Sequence, residues 1–311
     1  MQSSTSNNML QVIGNTPLVQ LNKIVPENCA DIYVKLEYYN PTGSYKDRMA
    51  LAIIEEAEKR GALQKGMSVV EYTGGSTGTS LAFVCAVKGY PFRAVSSDAF
   101  AKEKLQTIQL FGAELDIVPS VEGRITPDLF VRMEARVKEI EARGNYYWTK
   151  QFVNEDALAG HYKLGQEIIE QLNKPIDVFC AAVGTGGMLA GAGKALRIAN
   201  ENIKLIALEP TSSAFITTGI KGSHRIEGTA AGIIPPILQP GTYDEAIAFE
   251  ETDARATARL LASQEGIFAG TSTGLNVFAA IELGKQLGKG HTLVTVACDS
   301  GMKYLSGDLF S

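Results

Sequence analysis

Short β-rich runs alternate with longer stretches of helical periodicity along nearly the whole chain, and no other feature constrains the fold as tightly. DIYVKLE (31–37), SVVE (68–71), RAVSS (93–97), ELDIV (114–118), DVFCAAV (177–183), IKLIALE (203–209) and TLVTVAC (292–298) read as strands. From Lys46 to Arg60 the apolar residues Met49, Ile53, Ile54 and Ala57 recur at helical spacing. TGTSLAFVCAVKGY (77–90) is a helix that is apolar nearly throughout. Further helical segments fall near 100–111, 126–143, 155–172, 187–199, 253–265 and 274–287. Strands separated by helices predict parallel sheets covered by helices on both faces, so the fold class is α/β and doubly wound. The rhythm breaks at GNYYWTKQF (144–152), which places a domain boundary near 145–153. Two α/β domains facing across a cleft are expected.

Bulk properties narrow the function. With 311 residues, 45% of them hydrophobic, the chain has room for two domains that each bury a core. Twenty-nine basic and 34 acidic side chains give a net charge of −5, and no basic run stands out, so no nucleic-acid partner is expected. The N-terminal MQSSTSNNML lacks a signal-peptide core and the arginines of a transit peptide. No apolar stretch approaches a membrane span, so the expectation is a cytoplasmic protein with no membrane partner. Cys29, Cys85, Cys180 and Cys298 lie far apart, three of them inside apolar runs, which predicts buried free thiols in a reducing compartment. His161, His224 and His291 are too scattered for a metal centre, and each reads as structural or solvated.

Ligands of parallel α/β folds gather where strands end and helices begin. Three such junctions are rich in Gly, Ser and Thr: EYTGGSTGTS (71–80), AAVGTGGMLAG (181–191) and FAGTSTGLN (268–276). GTGG (184–187) follows a strand directly and opens a helix, so its backbone N–H groups and the Thr185 hydroxyl suit a phosphate at the positive helix end. It is neither a Walker loop nor a full GxGxxG fingerprint, and by itself it reads equally as a tight turn. A fourth turn, NPTGSYKDRMA (40–50), carries Lys46 where a helix begins. Alone, that stretch is a helix start with ordinary surface charge. Together with a phosphate cradle, the lysine points to pyridoxal 5′-phosphate, which needs an amine for its aldehyde and an anion site for its phosphate. Burial of such a lysine favours the neutral amine that this chemistry requires.

IGNTPLVQL (13–21), KLEYYNPTGSYKDR (35–48), GTGG (184–187) and GTSTG (270–274), with GSHRIEG (222–228) and DSGMKYLS (299–306), resemble the cysteine synthase family in order and spacing. This is the group of fold-type II pyridoxal-phosphate enzymes that includes O-acetylserine sulfhydrylase and cystathionine β-synthase. The resemblance runs across essentially the whole chain. It implies an N-terminal domain over 40–150 with the lysine and the substrate-carboxylate loop. A second domain, over 12–39 and 151–311, would carry the phosphate loop, with the cofactor in the interdomain cleft. Lys46 matches the Schiff-base lysine and the base for the substrate α-proton. Gly184, Thr185, Gly186 and Gly187 match the phosphate loop. Ser272 matches the serine facing the pyridine nitrogen, where a neutral hydroxyl makes the ring a weaker electron sink than a carboxylate would. Thr73, Gly74, Ser76 and Thr77 match the loop that grips the substrate carboxylate, and Gln151 a glutamine reaching the same group.

The implied reaction is β-replacement on an activated serine, O-acetylserine or a similar compound, through an aminoacrylate, with sulfide or another nucleophile adding. Two departures stand out. The family's loop usually reads TSGNTG and here it is TGGSTG (73–78), so Ser76 replaces an asparagine that also reaches the cofactor ring, and Gly74 replaces a serine. The missing side chain at 74 predicts a roomier pocket and a more mobile loop. Met188 stands where the phosphate loop usually has a threonine. Alternatives that keep the cofactor are β-elimination from cysteine or serine and another β-replacement giving cystathionine or diaminopropionate. A non-catalytic, cofactor-binding regulatory protein is the alternative from a different class. The resemblance further implies a homodimer, and with 311 residues neither a haem-binding extension nor a C-terminal regulatory module is expected.

Overall fold

The computed structural model describes residues 5–123 and 126–311, so the first four residues of the polar N-terminal stretch lie outside the described residues. In chain order the elements begin with β1 (Leu18–Gln20), β2 (Asp31–Leu36), α1 (Lys46–Lys59), β3 (Ser68–Tyr72), α2 (Ser76–Lys88) and β4 (Phe92–Ser96). Next come α3 (Lys102–Leu110), β5 (Glu114–Ile117), α4 (Pro127–Glu141), β6 (Tyr146–Trp148), α5 (Asp156–Leu172) and β7 (Val178–Ala182). The chain continues with α6 (Gly187–Ala199), β8 (Lys204–Pro210), α7 (Phe215–Thr218) and β9 (Glu245–Phe249). It closes with α8 (Glu251–Leu260), α9 (Thr271–Leu287) and β10 (Thr292–Ala297). Among the described residues no helix is long and apolar enough to cross a membrane.

Two compact units divide the chain. The first comprises the described residues of Met1–Ile13 together with Lys46–Ala157. Its sheet has the order β5-β4-β3-β6, with every pairing parallel. Successive strand side chains point to opposite faces, and the core follows that alternation. Val69 and Ala94 pack with Ile54, Ala57, Leu81 and Val84 of α1 and α2. Val70 and Val95 pack with Leu129, Met133, Val137 and Ile140 of α4. Met49, Ile53, Ile54 and Ala57, spaced for a helix in the sequence, are all fully buried on α1. Burial of a side chain such as Ile54 contributes about 1.5–3 kcal/mol. Tyr146–Trp148, which breaks the sequence rhythm, is a strand that pairs with Ser68–Val70. The chain leaves this unit only after Ala157, against an expected 150/151.

The second unit comprises Gly14–Tyr45 and Leu158–Ser311, against the expected 12–39 and 151–311. Its sheet has the order β1-β2-β10-β7-β8-β9, parallel except for the β1–β2 pair. β7 and β10 are buried at every residue, as strands covered on both faces must be. Val178, Cys180, Leu293 and Ala297 face α9, whereas Phe179, Ala181, Val294 and Val296 face the core under α5 and α6. The edge strands β1 and β9 are partly exposed; β1 is only three residues long, whereas β9 carries the apolar run Ala246–Phe249 between acidic residues. α9 begins at Thr271, three residues before the sequence suggested, and so passes through Gly274. A Cβ at Gly274 would collide with the Ala254 carbonyl, so the glycine is there to let α9 lie against α8. All four cysteines are buried free thiols.

Candidate active site

Lys46 is the first residue of α1 and only 7% exposed. Asp47 and Arg48 are 0% and 4% exposed, so the surface-charge reading of this stretch is wrong: the packed start of α1 takes all three charges inside. In the second unit, a hydrogen-bond network fixes the backbone that leads to the lysine. Asn40 Nδ2 donates to the Glu37 carbonyl at 2.8 Å and to Glu37 Oε2 at 2.9 Å, while Asn40 Oδ1 accepts the Gly14 N–H at 2.9 Å. The Thr16 hydroxyl donates to Glu37 Oε1 at 2.6 Å, joining the GNTP and LEYYNP motifs in one network. Gly43 takes a left-handed φ of 70° and its carbonyl accepts the Ser300 N–H at 3.0 Å; the Tyr45 N–H donates to the Cys298 carbonyl at 3.1 Å. Burial, aided by the nearby Cys298 and Asp299, pushes the Tyr45 phenol well above its usual range, so it stays neutral.

The TGGSTG loop joins β3 to α2 in the first unit. Thr73 Oγ1 accepts the N–H groups of Gly75 and Gly78, both at 3.1 Å, which caps the first turn of α2. With both lone pairs engaged, its hydroxyl hydrogen is left to donate. Thr77 Oγ1 donates to Gln151 Oε1 at 2.7 Å, and Gln151 Nε2 donates to the Tyr72 carbonyl at 3.0 Å. Ser76 opens α2 and is half-buried. Thr73, Gly74, Ser76, Thr77 and Gln151 therefore come together around one loop. The expected extra room beside Gly74 is absent. A Cβ there would lie 2.6–3.0 Å from three atoms of the Phe100 ring, so an aromatic side chain fills the space that the missing one leaves.

In the second unit GTGG connects β7 to α6. Gly186 is left-handed, at φ 79°, and serves as the helix N-cap. A Cβ at Gly184 would collide with the Gly228 carbonyl, so the GSHRIEG segment presses on the turn. The Ala190 N–H is the first in α6 with an acceptor four residues back, the Gly186 carbonyl, which leaves the first-turn amides pointing out of the helix end. A methyl at Gly187 would sit 3.5 Å from His161 Cδ2 and 3.7 Å from Thr185 Oγ1, an ordinary contact distance. Ser272 is 5% exposed in the first turn of α9. Beside it Thr271 is 1% exposed, and its Oγ1 has no hydrogen-bond partner among the described residues.

The family model of the pyridoxal-phosphate dependent enzymes matches residues 9–299. This chain belongs to that family. Pyridoxal 5′-phosphate is accordingly its cofactor. Among the family's members, a cysteine synthase from Staphylococcus aureus is 42% identical over 310 residues, covering 98% of this chain and 97% of its own. The O-ureido-L-serine synthase of Streptomyces lavendulae is 35% identical over 306 residues, covering 98% and 92%. The crystal structure of an Entamoeba histolytica cysteine synthase superposes with a TM-score of 0.93 at 34% identity, covering 100% of this chain and 92% of that one. Two mainly parallel sheets with flanking helices are thus the fold-type II architecture of these pyridoxal-phosphate enzymes.

The residues present fit the cofactor. The outward first-turn amides of α6 and the Thr185 hydroxyl suit a phosphate, and the unpartnered Thr271 hydroxyl suits a polar group at the start of α9. Sequence reasoning did not place three residues beside the site: Phe100, Glu71, and His161, which it read only as structural or solvated. His161 is 0% exposed and lies against Gly187, with its ring 5.5 Å from that of Tyr45. Phe100 gave no signal, because its partner is a missing side chain. Glu71 did carry one: a charged residue closes the buried run SVVE. It is 0% exposed, and burial pushes its carboxyl from 4.5 up to about 7 against four hydrogen bonds that favour the carboxylate.

Proposed function

We infer that this chain is a β-replacement enzyme of the cysteine synthase type, which exchanges the leaving group of an activated serine such as O-acetylserine for sulfide. The observation that carries this reading is the buried Lys46 at the start of α1, in a chain that cysteine synthases match over nearly its full length. Pyridoxal 5′-phosphate, when bound, supplies the electron sink that lets the β substituent depart and a nucleophile take its place.

The protein's own residues do the rest. Lys46 is the amine that would hold the cofactor covalently, and its Nζ, once released, takes the substrate α-proton and stays close enough to return it. The turn of Gly184, Thr185, Gly186 and Gly187 would hold the phosphate through backbone N–H groups and one hydroxyl, reinforced by the positive end of α6. Ser272 would face the ring nitrogen with a neutral hydroxyl, which favours departure of the β group over prolonged charge on the ring. Thr73 offers its hydroxyl hydrogen to the substrate carboxylate and Gln151 the second hydrogen of its Nε2, while Thr77, whose hydroxyl hydrogen goes to Gln151 Oε1, holds that amide towards the same group, with Ser76 and the Gly74 backbone closing the loop. Fixed donors of this kind hold the amino acid so that its α-hydrogen meets the lysine. The lysine and carboxylate loop thereby fall to the first unit, the phosphate turn and Ser272 to the second.

This reading makes the protein a cytoplasmic homodimer; its four buried free thiols suit a reducing compartment. The test is product analysis. Purified holoenzyme given O-acetyl-L-serine and sulfide is expected to release cysteine and acetate in equal amounts. Pyruvate and ammonia as the main products would refute replacement in favour of elimination.

A further inference from the structure

We propose that Glu71 is the positioning residue that holds Gln151 and Thr77 in place for the substrate carboxylate, an inference that rests on the carboxylate-loop assignment above. Glu71 is the penultimate residue of β3, and its two oxygens each accept two hydrogen bonds. Oε2 accepts from the Thr149 hydroxyl at 2.6 Å and the Gln151 N–H at 3.0 Å. Oε1 accepts from the Tyr72 N–H at 2.9 Å and the Trp148 Nε1–H at 3.2 Å. One carboxylate thereby bridges the end of β3 to the segment that runs from Trp148 to Gln151.

The chain of contacts continues into the loop. Glu71 fixes the Gln151 backbone, the neighbouring Tyr72 carbonyl fixes Gln151 Nε2, and Gln151 Oε1 accepts from Thr77. The glutamine is therefore held at its main chain and at both ends of its amide, which leaves one rotamer. Three of the four donors to Glu71 are N–H groups that have no lone pair to offer in return. Only a group with acceptors on both oxygens satisfies them, so glutamine, although the same shape, would turn an amide against at least one. Among the described residues no cation forms an ion pair with Glu71. A buried carboxylate without a cation is expensive for a fold, and an apolar residue would fill a β-sheet core at lower cost. What the carboxylate provides is geometry at a site where an amino acid must be aligned with a lysine.

The experiment uses holoenzyme and L-serine as the probe, with its dissociation constant read from the change in cofactor absorbance. Cofactor content, melting temperature and kcat with O-acetyl-L-serine are measured alongside. Glu71→Gln is expected to weaken L-serine binding about tenfold and to raise KM, with kcat and cofactor content within about twofold of wild type. Thr149→Val removes one donor without leaving a donor facing another donor, and is expected to weaken binding in the same direction by about threefold. Gln151→Ala serves as the reference for the loop assignment. Should Gln151→Ala leave L-serine binding intact, the loop assignment fails and the role of Glu71 fails with it. Should Gln151→Ala weaken binding while Glu71→Gln does not, Glu71 alone is refuted. A Glu71→Gln protein that loses cofactor and L-serine binding together also refutes positioning, because Glu71 would then be structural. If that variant does not fold, Thr149→Val decides, and unchanged L-serine binding in it overturns the proposal.

Discussion

Protonation of Glu71 is expected to leave a measurable signature in stability. Its carboxyl moves from 4.5 in the unfolded chain to about 7 in the folded one, because burial outweighs its four hydrogen bonds. The folded state therefore holds a proton that the unfolded state has already lost between those pH values, and stability falls as pH rises. This contribution is fully present below about pH 4.5 and is lost as pH climbs through about 7. At about 1.4 kcal/mol per pH unit for one proton, the whole span is worth roughly 3 kcal/mol. The perturbation is Glu71→Gln, which removes the titration; the cost of its misplaced amide is the same at every pH and drops out of the pH dependence. Urea unfolding of wild type and variant from about pH 5 to about pH 8 gives the difference in stability at each pH. Wild type should lose stability relative to the variant steadily up to about pH 7 and then level off. Infrared spectra of wild type should show a protonated carboxyl band below about pH 7 that the variant lacks. A flat stability difference, or a band that vanishes near pH 4.5, would refute the balance of burial over hydrogen bonding.

Thr185→Val keeps the shape of the phosphate turn and removes one donor to an anion, so cofactor affinity should fall about tenfold or more with little change in melting temperature; unchanged affinity in equilibrium dialysis would exclude the turn. Gly186→Ala is the poorer test, since its φ of 79° makes any side chain strained and stability would drop with or without a phosphate. Gly74→Ser should cost about 1–3 kcal/mol by crowding Phe100, and much of that should return in Gly74→Ser combined with Phe100→Ala; equal urea midpoints for the single and double variants would contradict the contact. Ser76→Asn should raise kcat/KM for O-acetylserine and sulfide relative to bulkier substrates by up to about tenfold, and an unchanged ratio would make the loop difference silent.

The strands most readily read in the sequence were those buried on both faces. β7 and β10 announce themselves because a parallel strand under two helix layers must be apolar at every position. β1 and β6 have only three residues each, too few for a period to register, and β9 carries the four-residue apolar run AIAF between acidic residues, a strand signal the alternation pattern does not single out. The candidate site divides in the same way. Lys46, the GTGG turn and the TGGSTG loop were legible because their chemistry is written in consecutive residues. Asp47 and Arg48 were not readable as buried, since burial depends on what packs over them. Phe100 filling the space beside Gly74, and Glu71 reaching Thr149 and Gln151 nearly eighty residues away, are long-range facts with no local pattern.

The central claim is that Lys46 holds the cofactor and serves the chemistry, and borohydride reduction of the holoenzyme followed by peptide mass mapping tests it most directly. The account predicts a yellow protein that is bleached on reduction, with a single pyridoxyl group fixed on the Lys46 peptide, and a Lys46→Ala variant that takes up no label there and does not turn over. Pyridoxyl fixed on a different lysine, or full turnover by Lys46→Ala, would contradict it.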